Sequence, residues 1–148
     1  MKELNLDWNP SSAFLFEAEG DNGKKMQMDA TVAGGGEGKA VSPKQMLMFS
    51  LAGCTGIDVL GILRKMRQEV TGYRLVIKGW EEAELPKAFT KMVVEHVVTG
   101  PNVTQEAVDR AVKLSHEKYC GVSASLENPV EVEMFGTIVK TEALAETK

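Results

Sequence analysis

The chain has 148 residues, 43% of them hydrophobic and 26% charged, and 17 basic against 21 acidic side chains leave a net charge of −4. That is one domain's length with apolar residues for one core, and the acid excess argues against nucleic acid or an anionic membrane surface as partner. Residues 1–12 show no basic start followed by an apolar run, so no secretory or transit segment is expected and a cytoplasmic location is the expectation.

Residues 14–19 and 25–30 read as a hairpin around Asp21, Asn22 and Gly23, with Met26 and Met28 opposed to Gln27 and Asp29. Residues 1–12 ahead of it are expected to be peripheral. The glycine-rich stretch 34–41 reads as a connector rather than a phosphate cradle, because no Gly-Lys-Ser or Gly-Lys-Thr follows. Ser42, Pro43 and Gln45 then spell a helix start: a cap, a ring at the first helical position and a capping-box partner. The helix is expected to reach about Gln68, with Arg64, Lys65 and Arg67 at the negative end of its dipole.

From Met46 to Leu63 the sole charge is Asp58, and the length approaches that of a membrane span. A central carboxylate, glycines at 53, 56 and 61, and the lack of a second span favour instead a core helix that is apolar all round. Covering such a helix on every side is hard in a small domain, so a homodimer with this helix near its centre is expected. Residues 73–82 and 89–98 read as antiparallel strands joined through Pro86. Asn102 or Thr104 caps a second helix whose inner face carries Ala107, Val108, Ala111, Val112 and Ser115, and which delivers Cys120 at its end. Residues 130–139 read as a last strand and 140–148 as a polar tail that frays. The reading is of a single α+β domain over 1–148.

The two cysteines, Cys54 and Cys120, are expected to be free, catalytic or metal-binding in a reducing compartment. A thiol with a pKa near ~8.5 is only a few per cent thiolate at neutral pH, and the thiolate is the nucleophile. Lowering that value by about three units takes roughly 4 kcal/mol of preferential thiolate stabilisation, which calls for a cation or aligned N–H donors. Asp58 lies four residues after Cys54 on the same helical face, where an ionised carboxylate works against the thiolate; it is expected to be hydrogen-bonded structurally or to shape the site.

Blander readings stand beside these. Free cysteine is among the most buried residue types, His116 beside Lys113 and Glu117 reads as solvated, and His96 inside a strand reads as structural. Cys54, Cys120 and His116 offer zinc ligands by inventory, but two cysteines 66 positions apart lack the close spacing of a zinc motif, and no metal is expected.

The order of elements, Pro43 eleven residues before Cys54, the tract 53–67 and the tract 118–126 together resemble the OsmC/Ohr family of peroxide-handling proteins over about residues 14–139. Within it, the chain is most similar to the OsmC-like, YhfA-type branch. The resemblance implies antiparallel sheets wrapped around central helices in an intertwined homodimer, with two active sites at the subunit interface. It also implies thiol peroxidase chemistry on organic peroxides or hydrogen peroxide in oxidative-stress defence: Cys54 peroxidatic, Cys120 resolving, no resident cofactor, and an external dithiol reductant that in related proteins is of lipoyl type. The chain departs from the organic hydroperoxide branch at the activating pair, since the glutamate after the proline is replaced by Lys44, then Gln45, and no arginine precedes Arg64. Lys44, Lys24 or Lys25 is left to supply positive charge, without arginine's planar fork; Lys44, Gln45 and Asp58 are the supporting candidates. That departure keeps an alternative open: a non-enzymatic dimer binding a small hydrophobic ligand, its cysteines structural or redox-sensing.

Overall fold

A computed structural model describes residues 1–128 and 130–139. The elements follow as β1 (Leu6–Trp8), β2 (Phe16–Glu19), β3 (Lys25–Met28), a 3₁₀ turn (Val32–Gly34), α1 (Pro43–Lys65), β4 (Gly72–Glu81), β5 (Phe89–Thr99), α2 (Gln105–Leu114), a π-helical turn (Ser115–Tyr119) and α3 (Gly121–Glu127). β1, β2 and β3 form an antiparallel sheet in that order, and β4 pairs with β5 in a second one. The expected hairpin is β2–β3, with Phe16 opposite Met28 and Glu19 opposite Lys25. Residues 1–12, expected to be peripheral, include β1, an edge strand with Leu6 opposite Ala18 whose three residues are all exposed.

α1 begins as the sequence predicts. The Ser42 hydroxyl accepts the Gln45 N–H, the Gln45 side chain accepts the Ser42 N–H in return, and Pro43 opens the first turn. It stops at Lys65, three residues short of expectation, because Arg67 takes a left-handed conformation at φ 58°. The buried residues Ala52, Thr55, Gly56, Val59 and Leu63 form one stripe along it. Val59 and Leu63 meet Val108 and Ala111 of α2 in the core, with Tyr73 and Val98 packed around them. Gly56 is where α1 closes on the sheet: a Cβ there would lie 2.6 Å from Leu75 Cδ1.

Among the described residues nothing covers the opposite stripe of α1. Phe49 and Ile57 are 54% and 77% exposed, and a Cβ at Gly53 or Gly61 would meet nothing within 4 Å. Among the described residues α1 is the one helix long and apolar enough to cross a membrane, yet its inner stripe packs on protein. Thr104 caps α2 by accepting the Ala107 N–H, so of the two cap candidates Asn102 is not used; its Oδ1 instead accepts the Glu69 N–H.

The last strand expected over 130–139 is not formed. The segment has no regular structure, and its large apolar residues stand in solvent, from Val130 at 62% exposed to Met134 and Phe135 at 90%. A strand needs a partner edge for its N–H and C=O groups, and within the described residues this one has none. The tail expected to fray over 140–148 lies outside the described residues.

Candidate active site

Two helical features bring the cysteines together. Cys54 is on α1, half-buried, one helical turn before Asp58 on the same face. Cys120 follows the π-helical turn, where its N–H bonds the Ser115 carbonyl at 2.8 Å, five residues back rather than four. That wider turn places Cys120 at the N-cap of α3, with its sulfur accepting the Ser123 N–H at 3.4 Å. Cys120 is 2% exposed. Both cysteines are unbonded, and the two sulfurs and an Asp58 carboxylate oxygen all lie within 4.8 Å of one another.

A buried chain of hydroxyls orients the carboxylate. Ser115 Oγ donates to Asp58 Oδ2 at 3.1 Å and lies 2.9 Å from Thr55 Oγ1. Ser115 has one hydroxyl proton, and with it committed to Asp58, Thr55 is the donor to Ser115. Asp58 is thus hydrogen-bonded, as expected, and also adjoins both sulfurs. Sequence reasoning put Ser115 on the inner face of its helix without assigning it a task. A hydroxyl among apolar inner-face residues was the available signal, since a buried polar group needs a partner.

Burial, and then the Cys54 thiol beside it, push the Cys120 thiol up from its ordinary value, against the opposing pull of the Ser123 N–H. A buried thiol of that kind keeps its proton until something takes it.

The remaining candidates sit elsewhere. Lys44 is ten residues before Cys54, about 15 Å along the helix. There its Nζ contacts Glu81 at 2.8 Å and the Lys87 carbonyl at 2.6 Å, and lies over the Phe89 ring. Within this chain it ties α1 to the β4–β5 loop rather than facing Cys54. Gln45 is used in the capping box. Lys24 and Lys25 are exposed at the β2–β3 turn. His116 is held by Ser123 Oγ at 3.2 Å and Glu127 Oε1 at 3.3 Å, outside the group of donor atoms around Cys54. His96 Nδ1 lies 2.6 Å from the Tyr73 hydroxyl. Burial lowers His96 below the ordinary histidine range and pushes Tyr73 up to about 12.

A cavity of about 460 Å³ opens between β5 and the helices, touching Leu51, Phe89, Val94, His96, His116 and Cys120, but not Cys54.

Comparison with known proteins gives the family and the fold. The family model described as OsmC-like protein matches residues 36–135. Protein YhfA of Escherichia coli K12 is 35% identical over 130 residues, covering 88% of this chain and 92% of that protein. A hypothetical protein from Aquifex aeolicus VF5 superposes with a TM-score of 0.73 at 32% identity, over 86% of this chain and 87% of that one. An organic hydroperoxide resistance protein OsmC from Legionella pneumophila shares the fold at a TM-score of 0.62 and 19% identity, over 88% and 92% of the two chains. With an α+β architecture of two antiparallel sheets and a long apolar helix, and a family match spanning both cysteines, the chain belongs to the OsmC-like protein family.

Proposed function

We propose that the protein is a homodimeric, cytoplasmic thiol peroxidase that reduces organic hydroperoxides or hydrogen peroxide in oxidative-stress defence. The observation that carries this reading is the approach of the Cys54 and Cys120 sulfurs to within 4.8 Å. A disulfide needs the sulfurs at ~2.05 Å with Cα atoms within about 7 Å, and the observed approach of the sulfurs favours that closure. The names of some structural relatives point the same way, since the Legionella protein is called an organic hydroperoxide resistance protein.

In this mechanism the Cys54 thiolate attacks one peroxide oxygen. The O–O bond breaks, the other oxygen takes up the proton that Cys54 released on ionising and leaves as alcohol or water, and Cys54 becomes a sulfenic acid, oxidised by two electrons. The Cys120 sulfur then attacks the Cys54 sulfur, and the S–O bond breaks. Asp58, steadied by Ser115, relays the Cys120 proton to the departing hydroxide, which leaves as water. An external dithiol, possessing the two electrons and two protons required, reduces the Cys54–Cys120 disulfide and becomes a disulfide itself. No resident cofactor takes part.

The homodimer follows from uncovered apolar surface. Phe49 and Ile57 on α1, Leu6, Trp8 and Phe16 on the first sheet, and the apolar residues of 130–139 are all exposed in one chain. A second copy would cover them symmetrically and supply 130–139 with a strand edge.

The test is reduced protein mixed with stoichiometric cumene hydroperoxide. The expected result is rapid loss of peroxide and an intramolecular Cys54–Cys120 disulfide by mass spectrometry. Cys54→Ser should lose both, and Cys120→Ser should consume one equivalent and stop at the sulfenic acid. No disulfide in the wild type over minutes would favour the second reading, a non-enzymatic dimer that binds a small hydrophobic ligand. The cavity supports that alternative, because its walls include Leu51, Phe89 and Val94 and it reaches Cys120 without reaching Cys54.

A further inference from the structure

Sequence spacing gives no reason to look for a metal at residues 54 and 120; the folded chain does. Two thiols and a carboxylate, on three separate turns of helix, converge with their donor atoms within 4.8 Å. Four-coordinate zinc, with bonds of about 2.3 Å to sulfur and 2.0–2.2 Å to oxygen, wants such donors roughly 3.5–3.8 Å apart. Rotation of side chains closes that difference without moving a helix.

We propose that the reduced protein binds one thiophilic divalent cation per chain, zinc being the best match, through Cys54 Sγ, Cys120 Sγ and an Asp58 carboxylate oxygen, with a fourth position open. Two sulfur donors select zinc over magnesium or calcium, which prefer oxygen. His116, the third ligand suggested by residue inventory, is replaced by Asp58 because Ser123 and Glu127 hold the imidazole away.

The surroundings have the form such a site needs. A ligating carboxylate is usually oriented by outer hydrogen bonds, and Asp58 accepts one from Ser115, itself fully buried and backed by Thr55 at 2.9 Å. Cys120 is fixed by the π-helical turn and by the Ser123 N–H. Cys54 is only half-buried, which leaves the ion a way in. Metal and disulfide exclude each other, because both use the same two sulfurs. The inference requires only reduced, adjacent thiols and does not rest on the peroxidase reading.

Cobalt(II) is the spectroscopic probe. Reduced, metal-free full-length protein, with both thiols confirmed by a thiol titration, is titrated with Co²⁺ and then with Zn²⁺. Sulfur-to-cobalt charge-transfer absorption should saturate at one equivalent per chain and be displaced by Zn²⁺. Cys54→Ser or Cys120→Ser should each remove about half of it. Asp58→Asn should weaken Zn²⁺ binding at least tenfold, and Ser115→Ala, acting through the carboxylate, by about 10- to 100-fold. His116→Ala should leave the spectrum unchanged. Absence of charge transfer at one equivalent in wild-type protein with two titratable thiols overturns the site, and an unchanged affinity in a folded Asp58→Asn variant overturns the assignment of the third ligand. Failure of peroxide turnover would leave these readouts intact, so the two proposals fail separately.

Discussion

At the residue scale, the chemistry depends on which side chains are held and which are free. Ser115 and Asp58 are 57 positions apart in sequence, and no local pattern joins them; the contact exists only because the π-helical turn lies against α1. The two cysteines were legible because their flanking tracts are distinctive, whereas the contacts that engage Lys44 within this chain, Glu81 at the end of β4 and the Lys87 carbonyl beyond it, are remote in sequence and leave no local pattern. His96 carries a testable pH effect. The folded chain keeps its half-buried ring neutral where the unfolded chain, near 6.5, takes a proton. Below about 6.5 and down to the depressed folded value, the unfolded state therefore binds more protons. Stability then rises with pH across that window and is lost on acidification. Urea melts at a series of pH values should show this slope in the wild type and a flatter one in His96→Gln; equal slopes would count against it.

At the element scale, α1 was the most readable part of the chain, because its start is specified within four consecutive residues, Ser42 to Gln45. Strands 4 and 5 were readable for a similar reason, a period of two in β5 that turns Met92, Val94, His96 and Val98 inward. The segment 130–139 shows the limit of such patterns. Alternating apolar residues state that a segment suits a sheet and leave unsaid which edge will take it. The π-helical turn and the capping role of Cys120 were likewise hidden, since an extra residue in a helix leaves no composition signal. α1 is anchored at its C-terminal end by Leu63, which is fully buried against α2. Leu63→Ala should cost about 2–5 kcal/mol by equilibrium denaturation, from lost burial and the cavity left behind. A cost within experimental error of zero would mean that α1 and α2 are not packed as described.

At the scale of the whole molecule, one face of α1 bears on the proposed homodimer. Phe49, Gly53, Ile57 and Gly61 recur every fourth residue, so large and small positions alternate along a line that the described residues leave largely open. Such a line accepts the same line from a second molecule across a two-fold axis. Mass action then enters the folding equilibrium: the melting temperature should climb as the protein is concentrated, and Ile57→Asp should abolish that climb while lowering the melting point at every concentration. A melting temperature indifferent to dilution would exclude coupled folding and association. A thermometer and a dilution series thus test what a lone helix face leaves unfinished: under the proposed dimer, abundance is itself a determinant of structure.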